Sequence, residues 1–475
     1  MSSLKKNFIY STILTTANYI FPLITFPYIS RVLGVENVGL CSFIDSIINY
    51  FVLFATMGMN VLGIREIARI KNDHQKLNAT FSSLFALNFL STLFMLLLLI
   101  VVTVFVPTLR ENMDLMLVGG VKLLSTFLLI EWFYKGIEEF KYITIRTLIV
   151  RIAYVVSVFL FVNNKEDYVI YFALTTLMIV VNALINIIHS RKYVTLSFYR
   201  IHIQEYSKPF IELGIYKIMT SLYTSFNIAF LGFVASEIEV GYYSTAIKLY
   251  AIIMSIFSAL TGVMLPRMSS LYASNDLTKF SQNVDKSSLF LRVLFIPIII
   301  FFTVNADGII NIVAGEGYEG AVLPMRIMML IMLVVGYEQI LIEQVLMPMK
   351  KDKAVLYNSI AGGIVGIILN IALVPLYKSI GSTIVLFFSE LTVFFLAYQQ
   401  AKSYIGKLPI MKLVRQIIYY IPCIILFLSL HSYYPNSYWC ILAEILILIC
   451  YSFCINQYFL KEIDFLKLIK SFKSK

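Results

Sequence analysis

Ser82–Val106 reads SSLFALNFLSTLFMLLLLIVVTVFV, a run with no charged residue. A hydrocarbon core about 30 Å thick is crossed by roughly 20 apolar residues in a helix, so this run is long enough to span it. Phe94–Val106 is apolar at nearly every position. A membrane β-strand would instead alternate polar and apolar residues over about ten positions. Lipid offers no partner for backbone N–H and C=O groups, so a spanning segment that is not a barrel strand must be a helix.

Working outward from this run, about fourteen stretches qualify: 8–30, 40–63, 82–106, 115–134, 147–163, 168–189, 209–234, 241–265, 288–304, 325–347, 354–375, 380–401, 416–431 and 438–459. The composition agrees, with 59% hydrophobic and 14% charged residues, against about 25% charged in soluble domains. The expected fold is an all-α polytopic membrane protein. Its longest polar connections are 64–81, 190–208 and 266–287, too short for a soluble domain.

The basic residues fix the topology. With the N-terminus placed inside, the inner connections hold 28 lysines and arginines. The outer ones hold 4: Arg31, Arg110, Lys165 and Lys378. Basic residues near span ends are retained on the cytoplasmic side, so both termini are expected in the cytoplasm. The net charge of +11 is this inner-face bias, which also suits anionic lipid headgroups; it calls for no nucleic-acid partner. Lys5 and Lys6 precede an apolar run longer than a signal-peptide core, so the first helix is expected to remain. The five cysteines form no C-x-x-C pair, and no metal site or resident cofactor is expected.

A faint repeat runs through the chain. Val38-Gly39 and Val240-Gly241 each open a helix after a short outer loop, and Arg65 and Arg267 follow those helices, both at an offset of 202 residues. Units of six helices would share one orientation, and parallel repeats hold substrate between them near the membrane midplane. The expected division is an N-lobe over 1–208 (helices 1–6), a C-lobe over 209–401 (helices 7–12), and helices 13–14 with a cytoplasmic tail over 402–475.

Charges inside spans cost about 2.5–3.5 kcal/mol each near a helix centre on insertion scales, so they usually face a bundle interior or a wet cavity. Lys122, Lys217 and Lys248 lie deep in helices 4, 7 and 8. They are candidate substrate-binding cations of a cavity, against the alternative of an internal ion pair or snorkelling. Three such point charges suit a multiply charged anion such as a pyrophosphate. Arg151, Arg292 and Arg326 lie close to predicted span ends and are expected to snorkel. Among the acids, Asp45, Glu338 and Glu390 are deep. Each is a candidate for an ion pair or for binding a coupling proton or sodium ion. Gly315-x-Gly317-x-x-Gly320 matches a dinucleotide fingerprint in letters only: it carries Glu316 and Glu319 and lies in an outer loop before a membrane helix, with no βαβ unit around it.

Pro27-Tyr28-Ile29-Ser30-Arg31-Val32-Leu33-Gly34 followed by Val38-Gly39, then Gly315 to Pro324, then Asn370-Ile371-Ala372-Leu373-Val374-Pro375 with Gly381, together resemble the corresponding segments of Wzx-type polysaccharide flippases. These belong to the multidrug/oligosaccharidyl-lipid/polysaccharide exporter superfamily. The resemblance covers helices 1–12. It implies two six-helix lobes around a central cavity, with two extra C-terminal helices, in the bacterial inner membrane. It also implies a transporter rather than an enzyme. Its cargo would be an undecaprenyl-pyrophosphate-linked oligosaccharide repeat unit for O-antigen, capsule or a related surface polymer. Polymerase and glycosyltransferases of the same pathway would be its partners, and coupling to a proton or sodium gradient or to the membrane potential is implied. Lipid II flippases are similar in fold but typically carry arginines in the first helix, whereas residues 7–30 here hold no charge. Multidrug exporters of the superfamily usually have twelve helices and an acidic cavity. A membrane-embedded glycosyltransferase or polymerase would be expected to carry large outer loops, which this chain lacks.

Overall fold

The protein is described by a computed structural model over residues 3–195, 201–405, 410–433 and 438–460. The tail 461–475 with its lysines, and Arg200 and Lys407, all expected on the inner face, lie outside the described residues. Among those described there are helices and turns but no strand.

Among the described residues, eleven helical segments are long and apolar enough to cross a membrane. Two of them hold more than one crossing. The helix α1 (Ser3–Thr56) has 54 residues, which would run about 80 Å if straight, far more than a bilayer core. It breaks at Gly34, whose φ of 75° and ψ of 170° are not helical. Glycine takes a positive φ without steric cost, so one residue makes the turn. A second 54-residue helix, Asp352–Ile405, breaks in the same manner at Lys378, with φ 50°. There the chain turns back on itself, because a Cβ on Gly381 would stand 2.7 Å from the carbonyl oxygen of Leu373.

The helices pack as two compact units, Met1–Gly241 and Tyr242–Lys475. In the first, α1 is followed by α2 (Met59–Ile70), α3 (His74–Phe105), α4 (Pro107–Glu111), α5 (Met113–Ser125), α6 (Glu131–Gly136), α7 (Phe140–Phe161), α8 (Tyr168–Ser190), α9 (Ile203–Thr224) and α10 (Phe226–Val234). Next, α11 (Glu237–Ala273) leads into the second unit, which holds α12 (Leu277–Val304), α13 (Ala306–Ala314), α14 (Val322–Gln339), α15 (Asp352–Ile405), α16 (Ile410–Tyr433) and α17 (Tyr438–Cys454).

The packing boundary falls beyond the lobe boundary drawn at 208/209 because α9 and α10 dock on α1. The Gly58 amide donates to the Phe210 carbonyl at 3.2 Å. The Tyr50 hydroxyl donates to the Ser221 carbonyl at 3.0 Å. Gly232 leaves room for the ring of Phe43, which a Cβ there would strike at 1.9 Å.

Several expected spans are broken or extended. The polar stretch 64–81 is mostly helical: α2 carries Arg65 and Arg69, and Asp73 caps α3 by accepting from the backbone N–H groups of Gln75 and Lys76. Asp276 caps α12 in the same way, accepting from the Lys279 N–H at 3.1 Å. The fourth expected span, 115–134, ends as α5 at Ser125 and resumes as α6 after Ile130, which takes a left-handed φ of 36°. The tenth changes from α to π geometry over Ile340–Leu346. Gly315 and Gly317, at φ 91° and 82°, shape the turn between α13 and α14; these glycines serve the backbone.

The first unit's inner core gathers Phe81, Trp132 and Phe133, with ring centroids 4.9 and 5.7 Å from Phe81. Gly63 admits the Trp132 ring to this cluster. By contrast α3 turns Phe94, Leu97, Ile100 and Val101 outward, the surface that lipid requires. In the second unit α16 and α17 are fastened to α12 and its C-terminal end. His431 Nε2 lies 2.7 Å from Asn305 Oδ1, and Tyr420 bonds Ser452 at 2.9 Å.

Candidate functional site

The first unit contains a polar patch on the second arm of α1. Gly119 of α5 sits against Ile48, where a Cβ would come within 2.5 Å of the isoleucine side chain. That close approach sets the register. Three residues further along α5, Lys122 meets Asp45, three residues earlier on α1, since residues one turn apart share a helix face. Lys122 Nζ lies 2.6 Å from Asp45 Oδ1 and 2.8 Å from Asn49 Oδ1. Asn49 Nδ2 closes the ring on Asp45 Oδ2 at 2.9 Å. The lysine side chain is 11% exposed and the aspartate 38%. Tyr154 of α7 and Tyr171 of α8 lie within electrostatic reach of one another and of Asp45. Lys122 and Asp45 thus neutralise one another.

Two other cations of this unit have no carboxylate. Lys217 is exposed on α9, and no ion pair involves it among the described residues. Arg151 does not snorkel. Its helix begins at Phe140 rather than near 147, which puts Arg151 in the middle of α7. Its Nη2 donates to Asn18 Oδ1 on the first arm of α1. Its guanidinium carbon lies 5.9 Å from the centroid of the Phe21 ring. Arg292 also departs from the interfacial expectation, being buried at 3% exposure. Arg326 pairs near the start of α14 with the exposed Asp307 at 2.5 Å. Arg146, which the sequence put in an inner loop, is buried and bonds Glu131 at 3.2 Å.

The second unit carries the acidic counterpart. Glu338 near the end of α14 and Glu390 on α15 are buried at 6% and 7% exposure, and their side chains lie within electrostatic reach of one another. Two carboxylates buried side by side repel when both are charged, so the pair favours holding one proton between them. Glu338 Oε2 has no hydrogen-bond partner. Tyr250 of α11 is within electrostatic reach of both acids. Lys248, two residues earlier on α11, is half-buried.

The π-helical turn follows directly. Around it, Gln339 exchanges hydrogen bonds with Ser258 at 3.2 and 3.3 Å, and Glu343 lies beside Thr261. Gln344 is fully buried with neither polar side-chain atom partnered. Single π turns recur at functional sites because they displace side chains from the helical register. The residues that sequence reasoning missed here are Gln344 and Arg151. The first gave no signal beyond a lone glutamine in an apolar run. The second was masked by the charges of Lys141 and Arg146, which made the start of α7 look like a loop.

Among the described residues no group of three or more His, Cys, Asp or Glu is placed to hold a metal ion. The chemistry available is charge pairing, proton holding and anion binding.

Residues 4–272 match the family described as polysaccharide biosynthesis protein. The "Putative O-antigen transporter" of Escherichia coli (strain K12) is 26% identical over 398 residues, covering 82% of this chain and 95% of that protein. A protein of the same name from Shigella dysenteriae is 24% identical over 404 residues, covering 82% and 98%.

Among solved structures, the lipid II flippase MurJ in an inward-closed conformation superposes with a TM-score of 0.80 at 15% identity, covering 96% of this chain and 99% of that one. A multidrug resistance MATE family transporter of the MOP superfamily, inward-facing, gives 0.65 at 11% identity, covering 83% and 98%. These structural likenesses establish the fold. With the family matched over more than half its length, the chain is a multi-pass bacterial membrane protein with the MOP-type transporter fold, and it belongs to the polysaccharide biosynthesis protein family.

Proposed function

We propose that the protein is a flippase. It moves undecaprenyl-pyrophosphate-linked oligosaccharide repeat units from the cytoplasmic to the outer leaflet of the inner membrane by alternating access, with both termini cytoplasmic. The observation that carries this reading is the match to two O-antigen transporters along 95% and 98% of their lengths, within a matched polysaccharide biosynthesis family. The six-helix lobes and extra helix pair expected from the sequence serve this cycle, and the pathway's polymerase and glycosyltransferases are its partners.

In this reading Lys217 and Lys248 supply positive charge to the pyrophosphate, and Lys122 is poised against Asp45, exchanging that partner for cargo. The outward step carries negative charge, which an inside-negative potential favours by about 2.3 kcal/mol per charge per 100 mV. The Glu338–Glu390 pair is the coupling site that resets the empty carrier, and its shared proton makes proton coupling the favoured form over sodium.

The test is flipping of a fluorescent undecaprenyl-pyrophosphate oligosaccharide in proteoliposomes. Wild-type transport that a Lys217/Lys248 double alanine variant loses supports the reading. Transport of a cationic dye with no transport of any lipid-linked sugar overturns it in favour of a drug exporter.

A further inference from the structure

Arg151 is a cation in the middle of a membrane helix, reached from the middle of another. It lies halfway along α7 (Phe140–Phe161), and Asn18, its hydrogen-bond partner, lies near the middle of the arm 3–33. A charge at that depth is costly unless it is paired or wetted by a cavity. No carboxylate pairs it among the described residues. The acid that acts on it from a distance is Glu131, which is already bonded by Arg146 at 3.2 Å and by Lys135 at 3.2 Å.

A guanidinium carries a planar fork of N–H donors. One goes to Asn18, and no other hydrogen bond from Arg151 is formed among the described residues. The remaining edge is held, not loose. Asn18 fixes one side of the plane, and Phe21, one turn further along the same face of α1, supports it through its ring. The group is partly exposed, so a ligand can reach it. A fork fixed at one corner and unspent elsewhere matches the bidentate geometry of phosphate.

We propose that Arg151, aimed by Asn18 and Phe21, is a phosphate-binding residue of the first unit, and that on the flippase reading above its ligand is the pyrophosphate of an isoprenyl-linked cargo. The depth selects that source. The headgroup of a resident phospholipid stays at the interface, whereas cargo phosphate must pass the midplane. Arg151 is then a specificity element for the anionic linker rather than for the sugar.

The experiment measures binding of undecaprenyl pyrophosphate to the full chain in nanodiscs, with undecaprenol and phosphatidic acid as comparators. Arg151→Gln is expected to weaken pyrophosphate binding about tenfold or more, and Arg151→Lys by less, since it keeps the charge but not the fork. Asn18→Ala, which leaves the arginine in place, is expected to weaken it severalfold. Undecaprenol binding should not change in any of them.

Should Arg151→Gln fail to fold, Arg151→Lys and Asn18→Ala carry the test. Unchanged pyrophosphate affinity in folded variants overturns the proposal. So does an equal loss for undecaprenol, which would mean that the side chain only supports packing. Arg151-dependent binding of phosphatidic acid and inorganic pyrophosphate, with none of undecaprenyl pyrophosphate, leaves the phosphate fork standing and removes the cargo reading.

Discussion

Gly39 and Gly241 meet backbone to backbone: a Cβ on Gly39 would stand 2.7 Å from the amide nitrogen of Gly241 and 1.8 Å from the carbonyl oxygen of Glu237. The approach is mutual, since a Cβ on Gly241 would stand 2.3 Å from the carbonyl oxygen of Val35. These are the two glycines of the V-G pairs that mark the internal repeat at its offset of 202 residues. The start of α11 therefore touches α1 through main chain that cannot rotate out of the way.

From this contact, Gly39→Ala should push the start of α11 away from α1 at a cost of about 1–3 kcal/mol. Disulfide cross-linking between Val35→Cys and Glu237→Cys reads the separation. The pair should cross-link in an otherwise wild-type chain and lose most of its yield when Gly39→Ala is added. Undiminished yield would show that the helices accommodate a methyl group.

The Lys122–Asp45 pair gives a second prediction. The aspartate is 38% exposed, so solvent screening limits what the pair contributes. Lys122→Met should lower stability by about 1–2 kcal/mol, with much of the loss regained by adding Asp45→Asn. Thermal melting of the purified variants measures this cycle. Transport separates two roles: a structural pair predicts that the double variant transports as wild type, and a cargo-exchanging lysine predicts that it does not.

Glu338 and Glu390 give a third. Glu338→Gln keeps a donor beside Glu390, so the chain should fold and melt near wild type. It should also remove the pH dependence of transport, because an amide cannot take up or release the shared proton. Proteoliposome flux measured across a pH gradient checks it. A gradient response as large as that of wild type would rule the pair out as the coupling site.

A fourth concerns the caps. Asp73 accepts from the Lys76 and Gln75 amides at 3.1 and 3.2 Å. The Lys76 backbone N–H, foremost, holds its carboxyl below the usual range. A depressed carboxylate stabilises the fold above the unfolded value of about 3.9, and that contribution is lost as pH falls through the folded value. Asp73→Ala should therefore melt below wild type at neutral pH and approach it in strong acid. A melting difference that stays constant with pH would exclude the cap as its cause.

Much of this fold was legible because lipid leaves the backbone few choices. The apolar runs, Ser82–Val106 first among them, marked most of the membrane helices. The single-residue turn at Gly34 agrees with a glycine between two runs. The matching turn at Lys378 carried no such sign, because lysine seldom takes a positive φ. The left-handed Ile130 was equally hidden, since a β-branched residue is a poor candidate for that conformation.

Site partners were less legible than helices. Lys122 and Asp45 are 77 residues apart, and their meeting depends on how closely Gly119 lets α5 approach Ile48. One signal was present and passed over. Asp73-x-x-Lys76 recurs as Asp276-x-x-Lys279, 203 residues later, and both aspartates cap a helix and pair with that lysine, at 3.3 and 2.8 Å. The repeat is plainer in these caps than in the V-G pairs.

The turn at Gly34 has a consequence for biogenesis. Only that residue separates the two arms of α1, so the nascent chain cannot commit the first arm to the bilayer and leave the second outside it. The two must enter the translocon as one hairpin. Arg31 at its tip donates to the Pro27 carbonyl at 2.6 Å, so that charge is partly masked by the chain's own backbone as it crosses. The orientation of the second pass is then settled at the same moment as the first.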